Sequence, residues 1–343
     1  MMDYSSVPDW RGQLRRNQSR TRWVIIVFVL IYAMVGLLLD VLFYSQTYPE
    51  ASPSSLFQAL LSLQLFPFAT SILIILSLVS LWVTYALYDK IMLFGTEYKE
   101  ITPKTAKNLS ETQLYNVVEE LKLAAGLQFV PRVFLIDADY MNAFASGYSD
   151  KSAMVAITRG LVEKLDRDEL QAVMAHELSH IRHMDIKLTL TASVLSNLIL
   201  MVVDMLFYSV LYGRDERDRK GGQGLVVIIM LLRFLLPLIT LLLMLYLSRL
   251  REYMADAGCV ELMRDNSPLA KALMKIDQDH QTNKENYRQQ YARTAHEDVR
   301  RAAYIYDPIQ AGIEPVTSLS GIFSTHPSIK ERLKALGVLP SSH

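Results

Sequence analysis

Ala175-His176-Glu177-Leu178-Ser179-His180 is the stretch on which the reading of this chain turns. Leu170, Val173, Met174 and Leu178 recur around it at helical spacing, and Asp166 stands where an N-cap belongs. The pattern predicts a helix over 166–183. On a helix, residues four apart share a face. His176 and His180 can therefore turn their imidazoles toward one Zn²⁺, which binds histidine nitrogen at about 2.0–2.1 Å. Glu177 then sits beside the metal, where it can take a proton from the attacking water and pass it to a leaving amine. The chain holds 7 His in 343 residues. At that frequency the five-residue pattern arises in about one random chain in 150, so alone it is moderately specific. His176, His180 and His183 all fall in this one helix, which strengthens it.

Catalytic zinc takes three protein ligands and keeps a fourth position open. The stretch Ser248-Arg249-Leu250-Arg251-Glu252-Tyr253-Met254-Ala255-Asp256 offers a candidate, with Glu252 and Asp256 four apart on one helical face. Glu252 can bind the metal while Asp256 accepts the other ring N–H of a ligand histidine and fixes its orientation. Asp185 is an alternative ligand. A continuing helix would turn it about 180° away from His176, so it reaches the metal only if the helix has ended. His183, on nearly the stripe of His176, is a further alternative and reads as a satisfied helix or supporting residue. Metzincin spacing fails, because the position ten residues after the first histidine is Ile186.

Around this core the chain alternates polar and apolar blocks. Hydrophobic residues make up 51% and charged residues 20%, and the apolar excess is concentrated in long runs. Lys+Arg 35 against Asp+Glu 35 removes the electrostatic basis for nucleic-acid binding. One cysteine, Cys259, excludes an intramolecular disulfide framework, fits a reducing compartment and reads as a small buried hydrophobe.

Residues 1–22 are polar and basic, with Arg11, Arg15, Arg16, Arg20 and Arg22 ahead of the apolar run Trp23–Tyr44, which Asp40 interrupts. A second run, about Ala69–Leu87, follows a loop at Pro53–Ser55, and no charge occurs from Ala51 to Tyr88. Each run can cross a ~30 Å hydrocarbon core. Residues 23–88 thus read as a membrane hairpin with both ends cytoplasmic by the positive-inside rule. Residues 89–187 form the first catalytic part. It has a helix over 108–125 capped by Ser110 and Gln113, and strands at Val133–Ile136, Ala143–Ser146 and Ala153–Thr158. Residues 188–247 read as a second membrane hairpin. Asp204 and Arg233 are costly in lipid, and the basic loop at Arg214–Lys220 opposes the rule, so buried or interfacial helices are the competing reading. Residues 248–343 form the second catalytic part, with a solvated helix or insertion at Gln281–Arg301 and a short amphipathic helix at Ser328–Leu336.

Four motifs in order, Met141-Asn142-Ala143-Phe144-Ala145, His176–His180, Arg251–Asp256 and Thr325-His326-Pro327, resemble the HtpX family of membrane zinc metalloproteases. That family is related to the CAAX prenyl proteases and belongs to the gluzincin group. The resemblance covers residues 130–336 and is looser over 1–22 and 281–316. It implies a mostly helical α+β fold, with about four membrane helices and a cytoplasmic gluzincin domain carrying a small β-sheet. It implies one Zn²⁺ on His176, His180 and Glu252, with Glu177 as catalytic base. It implies cleavage of misfolded or damaged membrane proteins at the cytoplasmic face of a bacterial inner membrane, so the partners are polypeptides and the lipid bilayer. Asn142, Ala143, Phe144 and Ala145 would lie on an edge strand that binds extended substrate by backbone hydrogen bonds, the competing reading being an ordinary internal strand. His326 would steady the oxyanion, the competing reading being a capping or surface histidine. Rival functions are a non-proteolytic membrane chaperone or scaffold, which would bind metal without Glu177-dependent cleavage, and a narrow CAAX-type protease, which needs more membrane helices to enclose its chamber.

Overall fold

Two helices in the computed structural model are long and apolar enough to cross a bilayer. The structure describes residues 10–147, 149, 151–212, 223–293, 300, 301, 303–313 and 326–338. Chain contacts divide it into two units: Met1–Gln18, Leu87–Thr189 and Met244–His343 in one, Ser19–Ala86 and Leu190–Leu243 in the other.

The apolar unit takes α1 (Trp10–Thr47) from Ser19 onward, α2 (Pro53–Leu61) and α3 (Phe68–Ala86). The two spanning candidates are Ser19–Thr47 of α1, mean hydropathy 2.8, and α3, mean hydropathy 2.0. Helix α2 stands where the sequence reading has a loop. Ser52 caps it by accepting the Ser55 N–H, Pro53 opens its first turn, and Leu56 and Leu60 bury beside Val41. Asp40, the charge that interrupts the first run, accepts the backbone N–H groups of Ala69 (2.8 Å) and Thr70 (3.0 Å) and the Thr70 hydroxyl (2.8 Å). The carboxylate satisfies orphan donors at the start of α3, a favourable place for negative charge. Gly36 makes the approach possible, since a Cβ there would strike the Thr70 backbone.

The second unit carries α4 (Tyr88–Leu93), β1 (Tyr98–Ile101), α5 (Leu109–Ala125), β2 (Arg132–Ile136), β3 (Ala143–Ser146), β4 (Met154–Thr158), α6 (Arg159–Lys164) and α7 (Arg167–His183). The strand order is β1-β2-β4-β3. The β2–β4 pair is parallel and the outer two pairs are antiparallel. Every residue of β3 and β4 is buried, because helices and loops cover both faces. Asn108, with its side chain on the Glu111 N–H, caps α5, rather than Ser110.

Helices α8 (Asp185–Tyr212) and α9 (Gln223–Met263) contribute to both units. Within them only the shorter apolar stretches Val194–Met205 and Met230–Ile239 stand out, so the described residues hold two candidate spans where the sequence reading has about four. Asp204 and Arg233 pair with each other, and the Arg233 guanidinium lies 4.5 Å from the Phe207 ring centroid. The pairing answers the cost of isolated charges in an apolar setting. The basic loop at 214–220 lies outside the described residues. After α9 come α10 (Ser267–Thr282), α11 (Lys284–Arg293) and α12 (Ile329–Ala335). Helix α11 is not merely solvated: Tyr287 and Tyr291 are buried, and Tyr291 stacks on Tyr140 at 4.2 Å between centroids. Residues 294–299 of the expected insertion lie outside the description.

Candidate metal centre

Helix α7 is fixed at its start by a reciprocal box, in which Asp166 accepts the Glu169 N–H and Glu169 accepts the Asp166 N–H. One face then carries His176 and His180, with their rings 4.8 Å apart and nearly perpendicular. Their Nε2 atoms lie 3.2 Å from each other. From the C-terminal part of α9, Glu252 brings one carboxylate oxygen to 3.6 Å from His176 Nε2 and the other to 3.6 Å from His180 Nε2. These three residues are buried and form the metal-capable group found among the described residues. Gly258 lets α9 close on α7, since a Cβ there would collide with the Ser179 hydroxyl.

Both histidines are held from behind by carboxylates. His176 Nδ1 donates to Asp256 at 3.0 Å. His180 Nδ1 donates to Asp185, whose two oxygens lie at 3.1 and 3.0 Å. With Nδ1–H committed on each ring, both Nε2 atoms present lone pairs to the same small space, beside a carboxylate. Such a trio needs a positive charge among them, either a proton or a metal ion. Tetrahedral coordination at about 2.0–2.1 Å sets ligand atoms roughly 3.3–3.4 Å apart, close to the separations observed. The arrangement fits a metal, and the carboxylate–histidine pairs are the usual support of a metal-binding imidazole.

Asp185 reaches His180 because α7 does end. Met184 caps it in the left-handed conformation, φ 52° and ψ 32°, and α8 starts afresh at Asp185. The residue thus meets the condition for approaching the site, but it grips a ring and not the metal position. His183 is buried, with Nδ1 3.4 Å from the Ser179 hydroxyl, and burial holds its pKa below the ordinary value. Cys259 is buried with its thiol 3.2 Å from the Ala172 carbonyl, and burial pushes it up.

Glu177 is fully buried, and neither of its oxygens has a hydrogen-bond partner among the described residues. Burial raises its pKa against the pull of His176 and His180. Burial acts the same way on Glu252, but His326, His176 and His180 outweigh it and hold this carboxyl well below its usual range. Burial alone would lower His176, yet hydrogen bonds to Asp256 and Glu252 push it up to about 9 in the metal-free site.

His326 comes from the loop before α12, with Nδ1 3.3 Å from Glu252 and Nε2 3.3 Å from the Arg301 carbonyl. Thr325 of the same motif lies outside the described residues. Sequence reasoning missed Arg332. This fully buried side chain grips Asp256 with two hydrogen bonds, 2.9 and 2.6 Å, and donates to the Ile305 carbonyl at 2.7 Å. On α12 it sits between Lys330 and Lys334 in what reads locally as a surface pattern. Its one sequence signal is proximity to the apolar stripe Ile329–Leu333–Leu336.

Strand β3 is the edge strand by order, but part of its outer edge is taken. Phe144 bridges to Tyr304, and the Ile305 N–H donates to the Ala143 carbonyl at 2.9 Å. Asn142 turns inward. Its amide donates to the Tyr306 carbonyl (3.0 Å) and the Tyr291 hydroxyl (3.2 Å), and its oxygen faces the Tyr306 N–H (3.3 Å). The physical reason is satisfaction of a buried amide by a neighbouring backbone. Asn142 and Ala143 therefore clamp residues 304–306, which present the Ile305 carbonyl to Arg332, instead of offering a free edge.

A sequence model of peptidase family M48 matches residues 108–338. The chain belongs to peptidase family M48. It is similar to a protease HtpX homolog of Helicobacter acinonychis (strain Sheeba), 38% identical over 94% of this chain and 96% of the relative. A Helicobacter pylori (strain Shi470) protease HtpX homolog is 39% identical over the same shares. One from Dictyoglomus thermophilum is 39% identical over 66% of this chain and 69% of its own. Among solved structures, S. mikatae Ste24p overlaps 82% of this chain and 64% of its own, at 21% identity and TM-score 0.47. As an M48 peptidase the chain is a metalloprotease.

Proposed function

We propose that this chain is a zinc-dependent endopeptidase inserted in a bacterial inner membrane, with its catalytic unit cytoplasmic, and that it cleaves misfolded or damaged membrane proteins. The observation that carries the metal assignment is the pair of Nε2 atoms 3.2 Å apart, with both Nδ1 atoms committed to carboxylates and Glu252 facing both. His176, His180 and Glu252 hold Zn²⁺ in this reading, and Asp256 and Asp185 fix the two rings. Bound there, zinc acts as a Lewis acid toward the scissile carbonyl and lowers the pKa of water. Glu177 takes the proton of the attacking water and delivers it to the leaving amine. Its raised pKa, and oxygens without a partner among the described residues, suit a group that must hold a proton midway through the reaction. His326, whose Nδ1 faces Glu252, takes the role of donor to the oxygen that gains charge on the scissile carbonyl by turning its Nε2 from the Arg301 carbonyl. The arginines in the N-terminal turns of α1, ahead of its apolar run, favour cytoplasmic ends for the first hairpin. The basic segment 1–22, the hairpins 23–88 and 188–247, and the catalytic parts 89–187 and 248–343 make up the working organisation. Extended substrate pairs beyond the stretch of β3 already clamped by residues 304–306, at Ala145 and Ser146.

The ligand set is tested by Glu252→Ala. After dialysis against a mild chelator, elemental analysis is expected to find most of the zinc lost and cleavage abolished. Tightly held stoichiometric zinc would contradict the assignment and return the third position to Asp185 or His183.

A further inference from the structure

The connection between the two spans holds more apolar surface than a water-exposed loop needs. Phe57 is 42% exposed, Leu61 60%, Leu63 73%, Phe66 56% and Phe68 60%. Isolated exposed apolar side chains are ordinary, but five within a dozen uncharged residues mark a contact surface. On α2, Phe57 and Leu61 form one exposed stripe, one turn apart, while Ser54 and Gln58 line the neighbouring exposed stripe and Leu56 and Leu60 are buried.

Depth says what covers it. The charges nearest the first run are Arg22 and Asp40, leaving Trp23–Leu39 uncharged. Seventeen helical residues rise about 26 Å, and the 19 residues of α3 rise about 28 Å, each close to the ~30 Å of a hydrocarbon core. Asp40 binds the first turn of α3, so both helices reach the same boundary at that level. Residues 41–67 therefore lie beyond the core. Helix α2 folds back on α1 there through Leu56, Leu60 and Val41, and the Tyr44 hydroxyl donates to the Phe66 carbonyl at 3.0 Å, drawing the end of the segment to α1 as well. The segment stays at the boundary and does not project into water.

We propose that residues 41–67, with Phe68, form a lipid-interface module: α2 and the turn after it lie along the bilayer surface, with Phe57, Leu61, Leu63 and Phe66 in the headgroup–acyl boundary and Ser54 and Gln58 among the headgroups. Aromatic and apolar side chains at this depth gain burial without leaving backbone groups dry. The inference rests on the reading that α1 and α3 span the bilayer. The occupant is lipid because the surface continues the exposed apolar faces of both spans and carries no charge from Ala51 to Phe68, the segment's one charge, Glu50, preceding α2.

The test uses the full-length protein in phosphatidylcholine–phosphatidylglycerol vesicles, nitroxide-labelled at single cysteines. Buried Cys259 is left unlabelled. Leu61→Cys and Phe66→Cys are compared with Ser54→Cys, with Leu78→Cys in the middle of α3, and with Leu123→Cys on exposed α5. Labels at 61 and 66 are expected to be more accessible to oxygen than to a water-soluble nickel chelate, at a depth between those of 78 and 123, with 54 nearer 123. If 78 lies in hydrocarbon while 61 and 66 match 123, the module is overturned and the spans stand. If 61 and 66 are shielded from both reagents, protein covers the surface and the proposal is wrong. If 78 itself reads as aqueous, the spanning reading falls and the module with it.

Discussion

The two sides of the metal centre are built differently. His180 is supported by Asp185, five residues on, and the only device required is the left-handed turn at Met184. His176 is supported by Asp256 from α9, which Arg332 of α12 holds, and Arg332 is itself anchored on the Ile305 carbonyl that Asn142 and β3 keep in place. One side is a local device inside a stretch of ten residues. The other is assembled from four distant pieces of chain. The local side can fail without the fold. The assembled side ties metal geometry to the packing of the whole catalytic unit.

Breaking the assembled side should have the largest effect. Arg332→Met leaves the buried Asp256 carboxylate without its main counter-charge, a change that typically costs about 3–5 kcal/mol. The expected outcome is a large fall in thermal stability together with loss of metal, measured by calorimetry and elemental analysis. A variant as stable as wild type would show that the two sides are not different in kind.

Asp185→Asn probes the local side. The fold should persist, while metal affinity falls about 10–100-fold, the usual cost of removing a carboxylate behind a ligand histidine. Competition with a chromogenic chelator measures it. Unfolding comparable to that of Arg332→Met would erase the contrast.

The pH dependence sharpens the same comparison, because a proton and a metal compete for one space. His176 sits at about 9 in the metal-free site, above its ordinary 6.5. A raised pKa means that its charge stabilises the metal-free fold fully below about pH 6.5 and that this contribution is lost as pH rises through about 9. Metal must displace that proton, so apparent affinity should climb by about tenfold per pH unit below 9 and flatten above it. Affinity independent of pH from 7 to 9 would contradict the placement of the proton on His176. In Asp256→Asn, which removes the principal group raising this pKa, the climb should flatten at lower pH.

The same contrast explains what the sequence made legible. The helix over 166–183, its cap and the pairing of His176 with His180 follow from spacing within one element, and the structure has them. Glu252 and Asp256 were readable as a face, and the structure brings that face to the histidines. Arg332 was not readable, because nothing in the local pattern of α12 distinguishes it from its lysine neighbours. Asn142 stands in a visible motif, but its hydrogen-bond partners, Tyr306 and Tyr291, lie far along the chain and are not legible from it. Tyr287 and Tyr291 sit in a highly charged stretch that reads as solvated, and only the aromatic packing on Tyr140 shows otherwise. Residues 188–247 show the limit of hydropathy alone, since Asp204 and Arg233 each look costly until they are seen to pair.

The central claim is that Glu177 moves the proton while His176, His180 and Glu252 hold the metal. Glu177→Gln tests it most directly, because it removes the carboxylate and leaves the ligands in place. Detergent-purified wild type and variant are assayed on an unfolded protein substrate, with and without chelator, alongside zinc content. The account predicts full zinc occupancy in the variant, chelator-sensitive cleavage in the wild type, and cleavage by the variant reduced to background. Near wild-type, chelator-sensitive cleavage by Glu177→Gln would contradict it.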